Sequence, residues 1–198
     1  MTLATASIVS GLALKMTAGV PIYGMPVEFS DIFGYGLIGG VAIPTLFALV
    51  GVMIMYLILS WTKAGRYIYA IGGNPKAARL SGVKTRFHLC SAYVMCGAIT
   101  AVAAVLMTAR LESGEANLGH AYPLMSIAAC VIGGVSIFGG IGRVPSVVFG
   151  AIFIILVQNG MHSMKIDSYT QLIVIGVLLI LAIVADNYRQ KLIRSMNE

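Results

Sequence analysis

The sequence predicts an all-α membrane protein, a polytopic helical bundle with about five or six transmembrane or re-entrant helices. Hydrophobic residues make up 59% of the 198 positions and charged residues only 10%. A soluble domain carries about a quarter charged residues, so this chain has too few charges to cover a surface in contact with water. The apolar residues also fall into long runs separated by short loops, which is typical of membrane-spanning helices.

Six apolar segments are candidates for membrane helices. A bilayer core about 30 Å thick requires roughly 20 apolar residues in a helix. The candidates are residues 3–18, 37–59, 89–109, 124–138, 144–157 and 172–185, and the last could begin earlier, near Tyr169. The segments at 124–138 and 144–157 are short, so each could cross the bilayer or re-enter on one side. No low-complexity linker interrupts the chain, and we expect a single membrane domain over residues 1–198.

The positions of Lys and Arg predict the orientation of these segments. Residues 61–88 contain no acidic residue and six of the thirteen cations, namely Lys63, Arg66, Lys76, Arg79, Lys84 and Arg86. The tail at 187–198 holds three more, and basic loops tend to lie in the cytoplasm. Four crossings between the basic loop and the tail return the chain to the same side. The acidic loops at 19–36 and 110–123 are then outside, and the Gly-rich turn at 133–143 is inside.

Composition and residue spacing argue against other function classes. The formal net charge is +6, but cytoplasmic loops explain it, and no solvated basic face for nucleic acid is present. Cys90, Cys96 and Cys130 lack the spacing of metal ligands or of a disulfide framework. No Ser/His/Asp, Cys/His or zinc pattern occurs. We therefore expect no catalytic, metal or cofactor site, and no cleaved signal peptide, because no basic segment precedes the first apolar stretch.

A short helix is predicted inside the basic loop. Gly72 and Gly73 end the preceding helix, Asn74 is a good N-cap, and Pro75 suits the first helical position. The helix should run over Pro75–Leu80, with Gly82 in the left-handed conformation after its end. A basic helix of this kind could dock into a groove on a soluble partner. Resting on anionic lipid headgroups is an equally good alternative.

The same loop carries a long motif. It reads Gly65-Arg66, Tyr69-Ala70, Gly72-Gly73-Asn74, Ala77-Ala78 and Ser81-Gly82. The motif resembles the cytoplasmic coupling segment of the ribose-type ABC importer permeases, with its Gly-Arg-x-x-Tyr-Ala-x-Gly-Gly-Asn start and its Ala-Ala-x-x-Ser-Gly continuation. The family usually has acidic or polar residues where this chain has Pro75 and Lys76. Further matches to family patterns lie at residues 109–114, 127–142 and 159–160, so the resemblance covers essentially the whole chain.

The resemblance implies a function and a set of partners. It implies the transmembrane permease subunit of an ATP-driven ABC importer for sugars, ribose-like or related carbohydrates, working by alternating access. The implied partners are a second permease subunit, ABC ATP-binding subunits, a periplasmic or extracellular sugar-binding protein and the lipid bilayer, with no nucleic acid. Because ATP would be hydrolysed on a partner, the chain itself would be neither an enzyme nor a cofactor-binding protein. It would be a multi-pass protein of the bacterial inner membrane with its C-terminus in the cytoplasm.

The resemblance also implies candidate functional residues. Those expected to couple the chain to the ATPase are Gly73, Asn74, Ala77, Ala78, Arg79, Ser81 and Gly82. Gln158 and Asn159 could line a path for a hydroxyl-rich solute, or they could form helix–helix hydrogen bonds. Family members are longer than this chain, which is expected to lack their first spans. The alternative to transport is therefore a truncated, non-transporting scaffold or assembly subunit in the membrane.

Overall fold

The computed structural model describes residues 2–195, with side chains for residues 4–188, and the fold is all-α as predicted. Residues 1 and 196–198 and the side chains of the three tail cations lie outside this description. The helices are α1 Thr2–Thr17, α2 Val27–Phe29, α3 Ile43–Trp61, α4 Lys63–Gly73, α5 Pro75–Leu80, α6 Thr85–Leu111, α7 Tyr122–Ile132, α8 Val144–Ser163 and α9 Ser168–Ser195. A π-helical turn covers Ser30–Gly34, and the short strands are β1 Ile22–Tyr23, β2 Leu37–Ile38, β3 Val41–Ala42 and β4 Ser113–Gly114.

Four of the described helices, α3, α6, α8 and α9, are long and apolar enough to cross a membrane. The apolar stretch predicted at 144–157 belongs to α8, which has 20 residues and is long enough to span. The stretch predicted at 124–138 is helical only as far as Ile132, because α7 has only 11 residues. At 1.5 Å per residue α7 rises about 16 Å, roughly half of the bilayer core. Non-helical chain follows it as far as Arg143.

The second apolar segment begins later as a helix than the sequence predicts. Residues 37–42 form the hairpin β2–β3, in which Leu37 pairs with Ala42. Gly39 and Gly40 turn the chain with φ angles of 60° and 81°, which favour glycine. The α3 helix then begins at Ile43, and Pro44 lies in its first turn, where a missing N–H leaves no helical hydrogen bond unmade.

The chain groups into two compact units, residues 1–53 with 91–120 and residues 54–90 with 121–198. In the first unit, β1 pairs antiparallel with β4. A Cβ atom added to Gly34 would lie 2.7 Å from the carbonyl oxygen of Ala109, so only glycine fits there. The Tyr35 hydroxyl donates to the carbonyl oxygen of Arg110 at 2.9 Å. These contacts hold the segment after α1 against the C-terminal end of α6. The two acidic loops that the sequence placed on one side of the membrane therefore touch.

The second unit has a core of small residues between α7, α8 and α9. Ala128, Ala129 and Ile154 are buried, with Ile132, Ala151 and Leu179 packed against them. A Cβ atom on Gly150 would collide with the carbonyl oxygen of Ala129, and one on Gly133 would lie 2.5 Å from that of Ser146. The main chains of α7 and α8 are therefore in direct contact, as small residues permit between membrane helices.

The start of α9 is fixed by an acidic cap. The Asp167 carboxylate accepts hydrogen bonds from the Thr170 hydroxyl at 2.6 Å and the Thr170 amide at 3.0 Å. The Thr170 side-chain hydrogen bond is the main cause that holds the pKa of Asp167 below its ordinary value. This local cap explains why α9 begins at Ser168, close to the earlier of the two predicted starts, near Tyr169.

The contact of α7 with α8 yields a stability prediction. Gly150→Ala should lower the thermal midpoint of the purified protein, because the added methyl group overlaps the main chain of α7 at a cost of about 1–3 kcal/mol. Gly176→Ala in α9 is the matched control, since nothing lies within 4 Å of its added Cβ. The control should leave the midpoint unchanged or raise it, because alanine favours a helix over glycine. Equal midpoints for the two variants would contradict the described packing.

Candidate functional site

The basic segment from Thr62 to Lys84 leaves α3 through a tight turn. The Thr62 hydroxyl donates to the carbonyl oxygen of Ile58 at 2.6 Å and accepts from the Gly65 amide at 3.2 Å. A Cβ atom on Gly65 would lie 2.5 Å from the Ile58 carbonyl oxygen and 2.6 Å from the Leu59 Cα. Thr62 thus caps α4, and Gly65 allows α4 to fold back onto the last turn of α3.

The predicted short helix is confirmed at both of its ends. The Asn74 Oδ1 atom accepts hydrogen bonds from the amides of Lys76 at 3.1 Å and Ala77 at 3.0 Å, which is N-cap geometry. The α5 helix covers Pro75–Leu80, and Gly82 follows with a φ of 82°. The Gly82 amide donates to the carbonyl oxygen of Arg79 at 3.1 Å. Two caps therefore hold a helix too short to form on its own.

Most of the residues predicted to couple to an ATPase are exposed. Gly73, Asn74, Ala77, Arg79, Ser81 and Gly82 all reach the surface, whereas Ala78 is only 6% exposed. The Ala78 side chain therefore seats α5 on the rest of its unit, and Ala77 and Arg79 face outward. The coupling role of these residues stays a prediction.

Sequence reasoning missed Leu80 and the groove beside it. Leu80 is 89% exposed at the end of α5. An open groove of about 450 Å³ adjoins it, lined by Arg79, Val83, Lys84, Thr85, Arg86 and Phe87. This surface combines three cations with the exposed ring of Phe87 and the side chain of Leu80, and it suits a partner with acidic and apolar side chains. The signal available in the sequence was Leu80 itself, an apolar residue directly before the C-terminal cap of a basic helix.

The α4 helix contacts the beginning of α6 and the loop between α7 and α8. The Tyr67 and His88 rings lie 5.0 Å apart between centroids. At the other end of α4, a Cβ atom on Gly72 would lie 2.5 Å from the amide nitrogen of Gly140. A Cβ atom on Gly139 would in turn lie 2.8 Å from the Gly72 carbonyl oxygen. The basic segment and the Gly-rich turn, which the sequence placed on one side, are therefore in contact.

The two candidate pathway residues, Gln158 and Asn159, lie near the C-terminal end of α8. Gln158 is half-buried, and its Nε2 donates to the Met125 sulfur at 3.3 Å. This bond links α8 to α7, which is the helix–helix alternative to a pathway role. Asn159 is exposed, and its carbonyl oxygen accepts from the Ser163 hydroxyl at 2.9 Å. Gln158 is 14 residues beyond the start of α8, about 21 Å along the helix. A pathway role for this pair stays a prediction.

Within residues 2–195, no group of three or more His, Cys, Asp or Glu side chains could hold a metal ion. The described surface around α5 offers instead cations, a capped helix and apolar side chains. Cations and apolar side chains of this kind suit contact with a macromolecule.

Comparison with known proteins agrees with the motifs. The model of the family described as "Branched-chain amino acid transport system / permease component" matches residues 1–183. The D-allose transport system permease protein of Escherichia coli (strain K12) is 35% identical over 191 residues, 96% of this chain and 58% of that protein. The ribose import permease protein of Bacillus subtilis (strain 168) is 36% identical over 186 residues, 93% of this chain and 58% of that protein.

A third relative, the L-arabinose transport system permease protein of Escherichia coli (strain K12), is 36% identical over 195 residues, 98% of this chain and 59% of that protein. The chain thus spans somewhat less than three fifths of the length of these curated relatives. No solved structure matches it. The family match over residues 1–183, the permease relatives and the coupling motif agree: the chain belongs to this permease family, and within it to the ribose-type ABC permeases.

Proposed function

We propose that this chain is the membrane permease subunit of an ATP-driven importer of sugars. The observation that carries the proposal is α5, a helix capped at both ends and exposed on one face, in a chain of this family. The family description mentions branched-chain amino acids, but the relatives quoted above are named for D-allose, ribose and L-arabinose. Their identity of 35–36% over nearly the whole chain favours a monosaccharide as the solute.

The proposed partners are supported by the exposed surfaces and by the family of the chain. An ATP-binding subunit contacts α5 and the adjacent groove, because Ala77, Arg79 and Leu80 stand clear of the rest of the unit. The apolar side chains of α3 and α6 are largely exposed in the isolated chain, which suits contact with lipid and with a second permease subunit. A sugar-binding protein delivers the solute at the outer side. ATP is hydrolysed on the partner, and the chain itself is not an enzyme.

The proposed mechanism is alternating access driven through α5. An ATPase can shift the permease between two states only if its contacts with the permease differ between them. Closure of the ATP-binding subunits would displace α5, and α4 would carry the displacement into the membrane helices that it touches. The protein lies in the inner membrane with the Thr62 to Lys84 segment and the C-terminus in the cytoplasm.

The orientation can be tested by thiol labelling. In a variant with Cys90, Cys96 and Cys130 changed to serine, Lys76→Cys should react with an impermeant reagent only in inverted vesicles. Asn117→Cys, which is exposed in the acidic loop after α6, should react only from outside in intact cells. The reverse pattern would overturn the orientation and the docking of an ATPase to α5.

Docking of the ATP-binding subunit can be tested at α5. Ala77→Asp and Arg79→Glu should weaken co-purification with that subunit by about tenfold or more, roughly 1.4 kcal/mol of binding free energy, because both positions face outward. Lys63→Glu is the matched control for Arg79→Glu, since it makes the same charge change at an exposed site in the first turn of α4, away from α5. Unchanged co-purification of the two α5 variants would favour the alternative of a non-transporting scaffold.

The cap of α5 gives an independent test. Asn74→Ala removes the acceptor for two amides and should destabilise α5 by about 1 kcal/mol, which reduces both the affinity for the ATP-binding subunit and sugar uptake. Asn74→Ser keeps a side-chain oxygen at the cap and should retain most of both activities. If uptake by the alanine variant equals that of the serine variant, α5 is not required as a helix.

A further inference from the structure

The end of α4 and the loop before α8 approach each other closely at four glycines. The glycine contact consists of Gly72, Gly73, Gly139 and Gly140. A Cβ atom on Gly140 would lie 2.7 Å from both the amide nitrogen and the Cα of Gly73. A Cβ atom on Gly72 would lie 2.5 Å from the Gly140 amide nitrogen and 3.1 Å from its Cα. A methyl group on either side would therefore force the two main chains apart.

The conformation of the loop also requires glycine. Gly139 and Gly140 have φ angles of 90° and 77°, which L side chains rarely adopt. The Ser136 amide donates to the Ile141 carbonyl oxygen at 2.9 Å, and the Gly139 amide donates to that of Ser136 at 3.1 Å. Ser136 itself is buried, and its Oγ accepts from the Phe138 amide at 3.2 Å. The loop is a compact turn with its own hydrogen bonds.

This turn is continuous with the tightest packing of the second unit. Gly133 follows α7 and contacts Ser146 at the beginning of α8, and Gly150 contacts Ala129 one turn further on. The main chain of α4 thus contacts the turn, and the turn joins two helices whose main chains touch. Side chains can absorb a displacement by changing rotamer, but main chains in direct contact cannot. A displacement of α4 should therefore reach the turn and the two helices that it joins.

We propose that the glycine contact transmits the displacement of α5 and α4 to α7 and α8 during transport, with Gly72, Gly139 and Gly140 as positioning residues. The inference rests on the proposed function, because it assigns a route to the motion that the ATP-binding subunit drives. It also predicts that opening this contact separates ATP hydrolysis from sugar movement without releasing the ATP-binding subunit.

The test measures sugar uptake per ATP hydrolysed. Complexes of the full chain with its ATP-binding subunit and its sugar-binding protein are placed in proteoliposomes, with D-ribose, D-allose and L-arabinose as probes. Gly72→Ala and Gly140→Ala open the contact. Gly176→Ala is the control for a helical glycine and Gly40→Ala for a positive φ, since the φ of Gly40 is 81° and neither control position has an atom within 4 Å of the added Cβ.

In both contact variants the ratio of uptake to hydrolysis should fall about fivefold or more, the lower end of typical coupling between sites. Co-purification of the ATP-binding subunit should stay at the level of the controls. A proportional loss of uptake and hydrolysis, or loss of assembly in both contact variants but in neither control, would assign the glycines to folding and overturn the proposal. A ratio equal to that of the controls would do the same.

The two proposals fail in different ways. If the unmodified complex moves none of the three sugars in an ATP-dependent manner, the proposed function fails, whatever the variants do. If the unmodified complex transports sugar and Arg79→Glu weakens assembly, but Gly72→Ala keeps the control ratio, only the route through the glycine contact is wrong.

Discussion

Direct contact between main chains is the constraint on which the second unit depends. Lipid is as apolar as the helices it surrounds, so burying apolar side chains contributes little to helix association, and close packing must contribute more. Gly150 against Ala129, Gly133 against Ser146 and the glycine contact all bring backbones together where a methyl group would not fit. The α4 helix contacts the turn that joins α7 to α8, and α5 follows α4 in the chain.

The non-helical chain that follows α7 forms hydrogen bonds between its own main-chain groups. Non-helical backbone at membrane depth is tolerated only where it is buried in protein or lines a cavity. After Ile132, the Gly134 and Val135 amides donate to carbonyl oxygens of α7, and the Ser136 amide donates to that of Ile141. Several main-chain groups of this turn are therefore satisfied within the chain, as an apolar surrounding requires.

Local signals predicted much of this fold. Asn74, Pro75 and Gly82 specify both ends of α5 through hydrogen bonds and backbone angles within a few residues, so the sequence predicted that helix correctly. The end of α7 at Ile132 depends on contacts with α8. The apolar run in the sequence continues beyond it, and the predicted segment therefore ended at residue 138. The glycine contact joins residues more than sixty positions apart, and no property of either Gly pair indicates its partner. The buried side of Ala78 could not be predicted either, because a six-residue helix has no clear periodicity.

In the Thr62 to Lys84 segment, the exposed surface of α5 and the glycines that contact the turn are separate sets of residues, and this separation has an evolutionary consequence. The residues that face outward on α5, such as Lys76, Arg79 and Leu80, differ in position and chemistry from the glycines that hold α4 to the turn. On the proposed function, substitutions on α5 can adapt the permease to a different ATP-binding subunit while the glycines stay invariant. On this proposal, a few substitutions on the surface of α5 suffice for related importers to use different ATP-binding subunits. The glycine contact between α4 and the turn before α8 is retained.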